Sequence, residues 1–136
     1  MLPLKFRLLH WGVAFSVLLN AFVLDEGKQI HRYLGYSAIV LVALRIIFWK
    51  QRKVTHYNDK AKYVYWCIWF CILGLSLTGF LMGLDRFFGN QTLEDIHEII
   101  SNVLLFLTGI HLSGLFFDAF KNKRKTWMVM INGEKL

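Results

Sequence analysis

The sequence predicts an all-α protein, an integral membrane four-helix bundle whose N- and C-termini both lie in the cytoplasm. Three observations carry this prediction: the composition, four long apolar runs, and the distribution of basic residues. The chain of 136 residues is 56% hydrophobic and only 18% charged. Soluble domains rarely have such a composition. We expect one domain, residues 1–136, without an internal linker.

Four apolar runs supply the predicted helices, at about residues 8–24, 30–49, 63–84 and 96–120. A helix needs about 20 mostly apolar residues to cross the hydrocarbon layer, and each run is near that length. Only helices satisfy their backbone hydrogen bonds segment by segment in lipid, so each run is expected to span the membrane as a helix. A cleaved signal peptide is the alternative for the first run. We reject it because Asp25 and Glu26 follow Leu24 without a small-residue cleavage site.

The basic residues give the orientation of the helices. With both termini and the 50–62 loop on one side, that side holds thirteen Lys and Arg residues, and the other side holds only Lys28, Arg32 and Arg86. Lys and Arg accumulate on the cytoplasmic side of membrane proteins. The net charge of +7 is therefore a topology signal and does not indicate nucleic-acid binding. The basic tail, residues 121–136, is expected to lie in the inner interface.

Four histidines lie within or next to the apolar runs, namely His10, His31, His97 and His111. His97 and His111 are fourteen residues apart in one run, a spacing that climbs about 21 Å along a helix and returns to nearly the same face. Counting depth along each helix puts His10 with His111 (the inner pair) and His31 with His97 (the outer pair). Ionisable residues at such depths are costly and usually functional.

Each pair combines two different helices, as is required to clamp a flat macrocycle from both faces. Haem iron accepts neutral imidazole as an axial ligand, so the spacing indicates two non-covalent b-type haems. Hydrogen-bonded histidines in a bundle interior are the alternative, which is least plausible for all four together. A closed zinc site needs four ligands at one place, and two separate pairs do not provide them. Covalent haem attachment is excluded because no Cys-x-x-Cys-His is present.

Arg45 lies fourteen residues after His31, on the same predicted helix face and at the depth of the inner pair. A guanidinium inside a lipid-embedded bundle needs an anionic partner, and a haem propionate would be suitable. Snorkelling of the side chain toward the inner surface is the alternative. We therefore include Arg45 among the candidate cofactor-binding residues.

The chain resembles the prokaryotic cytochrome b561 family over nearly its whole length. The matching stretches are Leu8-Leu9-His10-Trp11, the run from His31 to Trp49, Leu77-Thr78-Gly79-Phe80-Leu81, the paired His97 and His111, and the tail leading to Met128–Gly133. The resemblance implies a four-helix membrane protein with two haems b. It also implies that His10 and His111 ligate one iron, and that His31 and His97 ligate the other.

The resemblance further implies electron transfer linked to quinone in the respiratory chain of the bacterial inner membrane. Our leading hypothesis is a stand-alone electron carrier that exchanges electrons with quinone and with a periplasmic redox partner. The alternative is a haem-bearing anchor subunit of a larger oxidoreductase, such as a hydrogenase-like or reductase complex. A non-redox helical protein would leave the histidine spacing unexplained. Arg45, Trp49 and Lys50 are candidates for a quinone site on the inner side.

Overall fold

The computed structural model describes residues 3–24, 28–48 and 60–133, and within these ranges it contains helices and no β-strand. The four long helices are α1 (Leu4–Phe22), α2 (Gln29–Ile47), α3 (Ala61–Met82) and α4 (Gln91–Asn122); a 3-10 turn, Asp85–Phe87, and a short α5 (Met128–Ile131) complete the order. The all-helical prediction is confirmed.

Two of the long helices, α1 and α4, begin about one turn before the apolar runs that predict them. The first turns of α4 are polar, and they form because the Asn90 side chain accepts a hydrogen bond from the backbone N–H of Leu93 at 3.2 Å. This is an ordinary helix N-cap. Similarly, α1 begins at Leu4, and its first turns carry Lys5 and Arg7. Polar turns therefore extend both helices beyond their apolar parts.

Three of the described helices, α2, α3 and α4, are long and apolar enough to cross a membrane. Large apolar side chains point outward from them: Phe70, Phe106 and Phe117 are each about two-thirds exposed. Such extensive exposed apolar surface is unusual for a soluble monomer and suits a lipid environment. The multi-pass membrane character predicted from the sequence is supported.

Consecutive helices pack against each other, α1 on α2, α2 on α3, and α3 on α4. The buried core is small and lies among α2, α3 and α4, where it consists of Ala38, Val42, Trp69, Ile72 and Leu104. Glycines allow close approach at two of these interfaces. A Cβ on Gly12 would lie 3.0 Å from Cδ1 of Leu41, and one on Gly74 would lie 3.3 Å from Cδ1 of Ile100.

The C-terminal segment folds back onto the start of α1. It leaves α4 at Lys123, which adopts a left-handed conformation with φ 50°. The indole Nε1 of Trp11 then donates to the carbonyl of Met130 at 2.9 Å, and Nη1 of Arg7 donates to the carbonyl of Ile131 at 2.7 Å. Because Trp11 follows His10 directly, this contact brings the tail close to the inner pair.

Some sequence predictions fall on other parts of the chain. Most of the basic 50–62 loop, together with Trp49 and Lys50 of the candidate quinone site, lies outside the described residues. The same is true of Asp25 and Glu26, and of the fifth histidine, His56, which lies in the 50–62 loop and outside the four apolar runs.

Candidate functional site

The four histidines lie in two facing pairs, each of which joins α4 to another helix. His10 of α1 faces His111, and His31 of α2 faces His97. In both pairs the ring centroids are 6.3 Å apart and the ring planes are inclined at 58°. All four side chains are half-buried. These are the same two pairs that the sequence predicts from the depth of each histidine along its helix.

The spacing of the rings suits one metal ion between two imidazoles. An imidazole nitrogen binds a transition-metal ion at about 2.0–2.1 Å, and the ring centre lies roughly 1.1 Å further out, so two trans ligands have centroids about 6.3 Å apart. The observed separation is 6.3 Å in each pair. The two pairs therefore have the separation that axial ligation of one ion requires.

Each pair offers two ligands and no more. Among residues 3–24, 28–48 and 60–133, no three His, Cys, Asp or Glu side chains gather around a common point. The remaining coordination positions must then come from the cofactor, as the four nitrogens of a porphyrin supply them in haem. The donor set therefore fits haem iron better than a closed zinc site, which needs four protein ligands.

The outer pair lies in a cavity of about 750 Å³, a volume typical of cofactor and ligand sites. His31, His97, Gly35 and Gly79 are among its lining residues. A Cβ on Gly79 would lie 3.7 Å from Cε1 of His97. The glycine therefore keeps the space beside the imidazole open, so that a flat ligand can approach the ring.

Two polar atoms in the same cavity are buried without a hydrogen-bond partner among the described residues. They are Nδ1 of His31 and Oδ1 of Asn20. The other polar atom of the Asn20 amide, Nδ2, donates to the carbonyl of His31 at 3.1 Å. Buried polar atoms in proteins are nearly always paired. These two atoms therefore leave the cavity wall able to bind a polar group of a ligand.

Arg32 lies at the edge of this cavity. A Cβ on Gly83 would be only 2.6 Å from Nη2 of Arg32, so the absence of a side chain at position 83 makes room for the guanidinium. Both residues, with Lys28, line the cavity. A guanidinium beside a cofactor cavity is suited to bind carboxylates, because its donors match their two oxygens.

His97 has a close polar neighbour on α3. Nδ1 of its ring lies 2.7 Å from Oγ1 of Thr78, and the Thr78 hydroxyl also lies 2.9 Å from the carbonyl of Gly74 and 3.1 Å from that of Leu75. Sequence reasoning gave Thr78 no role beyond its place in a matching stretch. The available signal was a hydroxyl, one of two with Ser76, in the apolar C-terminal half of α3.

Arg45 lies beside the inner pair. Its Nη1 donates to Nδ1 of His10 at 3.0 Å, and its guanidinium lies 5.9 Å from the centroid of the Trp69 ring. The side chain thus reaches the depth that its spacing from His31 predicts. A guanidinium can only donate, so Nδ1 of His10 acts as the acceptor and the proton of the neutral ring lies on Nε2.

Aromatic rings surround the inner pair. Tyr65 packs edge-on against His111 with centroids 5.3 Å apart, and Trp11 packs edge-on against His10 with centroids 5.6 Å apart. Tyr65 had no place in the sequence-based site. Tyr65 lies in an aromatic stretch of α3, and only the packing of α3 against α4 shows that it faces His111.

Comparison with protein families gives one match that covers nearly the whole chain. The profile of the family described as prokaryotic cytochrome b561 matches residues 2–133, a range that contains both histidine pairs and Arg45. Comparisons with curated proteins and with solved structures gave no match. The chain belongs to the prokaryotic cytochrome b561 family, and it is accordingly a membrane protein that binds b-type haem and transfers electrons.

Proposed function

We propose that this cytochrome carries two b-type haems in series across the bacterial inner membrane. His10 and His111 ligate the iron of the inner haem, and His31 and His97 ligate that of the outer haem. The observation that carries the proposal is the pair of matched ring separations, each 6.3 Å. Because one helix bears a histidine of each pair, fourteen residues apart, the two sites are offset by about 21 Å along it.

In this proposal α1 is a fourth membrane span, and both termini lie in the cytoplasm. α1 has 19 residues, as α2 does, and the two helices pack together. α1 packs on α2, which is itself apolar enough to span, and its His10 faces His111 of α4. An even number of spans leaves both termini on the side that is rich in Lys and Arg.

Haem, when bound, supplies the one-electron chemistry of its iron. The protein residues bind and orient it. The neutral imidazoles of each pair would hold the haem iron between them, and Gly79 keeps the space beside the His97 ring open. Arg32 is available to pair with a propionate at the edge of the outer cavity.

Arg45 has to change partner for the inner haem to bind through Nε2 of His10. A neutral imidazole that offers its Nε2 lone pair carries its proton on Nδ1, the atom to which Arg45 now donates. A guanidinium cannot accept that proton. With haem bound, Arg45 could donate to a propionate carboxylate instead, a charge-assisted bond.

Quinone is the proposed membrane-phase redox partner, with a site near Arg45, Trp49 and Lys50. Family membership supports this choice of partner. A redox partner in the periplasm would meet the outer cavity, where Glu94 and Asp95 are among the exposed lining residues.

Haem stoichiometry tests the proposal directly. We expect two haems b per chain in the detergent-purified protein by pyridine haemochrome assay. His97→Ala should lose the outer haem alone, and His10→Ala the inner haem alone. His56→Ala is the matched control, because His56 belongs to neither pair, and it should retain both haems. Loss of both haems from a single folded, inserted variant would contradict the pairing.

Quinone coupling needs a separate assay. Fully reduced protein in detergent is mixed anaerobically with a short-chain ubiquinone, and the haem absorbance is followed in a stopped-flow instrument. We expect rapid oxidation of both haems, slowed in an Arg45→Leu variant. Oxidation no faster than with a water-soluble oxidant of equal potential would contradict a quinone site. Co-purification of a catalytic subunit would favour the anchor-subunit alternative.

A further inference from the structure

We propose that Thr78 is a positioning residue for the outer haem, which sets the tautomer of His97 and aims its Nε2 at the iron. The inference rests on the proposed function, since it assumes that His97 is a ligand. It assigns a role to a hydroxyl on α3, a helix that contributes no histidine to either pair.

The hydrogen-bond geometry determines which atom carries the proton. The hydroxyl of Thr78 has one hydrogen and three close neighbours: the carbonyls of Gly74 and Leu75, at 2.9 and 3.1 Å, and Nδ1 of His97 at 2.7 Å. A carbonyl can only accept. Threonine in a helix habitually donates to the carbonyl three or four residues earlier. The Thr78 oxygen is then the acceptor, and Nδ1 of His97 is the donor.

Packing holds this arrangement in place. Thr78 is only 7% exposed, so water does not compete for its hydroxyl. One turn earlier on α3, Gly74 brings that helix close to Ile100 of α4. Gly79 leaves 3.7 Å between its missing Cβ and the His97 ring. The hydroxyl and the ring therefore meet where the two helices approach closely.

The consequence is that His97 is ready to ligate. With its proton on Nδ1, a neutral imidazole presents the lone pair of Nε2, and the hydrogen bond on Nδ1 orients the ring and raises its basicity. His10 is in the opposite state, because Arg45 donates to its Nδ1. The outer site thus has a ligand already in the binding tautomer, whereas the inner site requires Arg45 to move.

Three variants test the role of Thr78. Thr78→Val keeps the side-chain shape and removes the hydroxyl, and Thr78→Ser restores it. Thr108→Val is the matched control, because the Thr108 hydroxyl donates to the carbonyl of Leu104 on α4 at 2.8 Å in the ordinary helical manner. The measurements on purified holoprotein are haem transfer to excess apomyoglobin, potentiometric titration of both haems, and low-temperature EPR of the oxidised protein.

We expect Thr78→Val to release the outer haem about 10–100-fold faster than wild type, the usual cost of losing a ligand's hydrogen-bond partner. The potential of the outer haem should rise, because a less basic imidazole stabilises the ferric state less. Its EPR signal should change as the ring loses its fixed orientation. Thr78→Ser should restore all three properties. The inner haem should be unchanged in every variant, and Thr108→Val should match wild type at both haems.

The inference would be overturned if the outer haem of Thr78→Val had the same release rate, potential and EPR signal as in wild type. So would a Thr78→Ser variant as impaired as Thr78→Val, since the methyl group and not the hydroxyl would then matter. Equal changes at both haems would show general loosening and would also overturn it. A wild-type protein without two haems, or one whose outer haem survives His97→Ala, would instead overturn the proposed function itself, and with it the inference.

Discussion

The partner of one ring nitrogen distinguishes the two candidate haem sites. Nδ1 of His97 meets a hydroxyl that can accept, and Nδ1 of His10 meets a guanidinium that can only donate. With the Thr78 oxygen as the acceptor, as inferred above, His97 and His10 have different tautomers. This difference depends on Thr78 and Arg45, two residues whose chemistry is unrelated, and it makes the sites separately testable.

Arg45 carries a prediction at this scale. Replacing it by Leu should lower the midpoint potential of the inner haem, because a nearby cation favours the ferrous over the more positive ferric state. A unit charge at contact distances and an effective dielectric of about 20 corresponds to a shift on the order of 100 mV. Potentiometric titration in detergent measures the shift. Arg45→Lys keeps the charge and is the control, and an unchanged potential in Arg45→Leu would remove Arg45 from the site.

Among the elements, α4 organises both sites. It contributes His97 and His111, while α1 and α2 each contribute one histidine to face them. The polar first turns of α4 extend it to 32 residues, or about 48 Å at 1.5 Å per residue. One continuous helix thus sets the vertical offset between the sites.

The short α5 makes a prediction at the scale of elements. Trp11→Phe removes the indole N–H that donates to the carbonyl of Met130, at a cost of about 1 kcal/mol. We expect α5 to leave α1 more often, so that trypsin cleaves the basic stretch at Lys121–Lys125 faster in detergent. Trp66→Phe is the control, because Trp66 packs edge-on against Trp69 of its own helix. Equal cleavage of the two variants would contradict the docking of α5.

For the whole molecule, the outward-facing apolar surface and the charge asymmetry belong together. The buried core is small, and phenylalanines such as Phe70 and Phe106 face outward. In water a protein with this surface would aggregate. In lipid the exposed apolar side chains carry no such free-energy cost, because lipid tails are as apolar as the side chains. The stability of the fold is therefore tied to the bilayer and to the interhelical contacts.

Topology is the prediction at this scale. A fluorescent protein fused to the C-terminus should fluoresce, and a periplasmic phosphatase fused there should be inactive, since the basic side is expected in the cytoplasm. The matched control is the phosphatase inserted after Gly89, in the turn before α4, which should be active. An active C-terminal phosphatase would contradict the predicted orientation, whereas a periplasmic N-terminus together with a cytoplasmic C-terminus would mean an odd number of spans and would exclude α1 as the fourth.

The sequence alone determined the helical class, the membrane character, and which histidines share a depth. These properties follow from the composition of each run and from the position of a residue along its own helix. Neither requires knowing which residues of other helices lie next to it. Arg45 was found the same way, from its spacing to His31. The family resemblance was also readable from the histidines and the matching stretches, and the family match supports it.

Only the tertiary structure decided which atoms meet at each depth. That His97 contacts Thr78, that Tyr65 packs on His111, and that Arg45 donates to Nδ1 of His10 all depend on how each helix is rotated and packed. The docking of α5 on Trp11 is likewise a contact between distant parts of the chain. Helical periodicity specifies height and face along one helix. The neighbour across an interface depends on close packing between helices, and no local pattern encodes it.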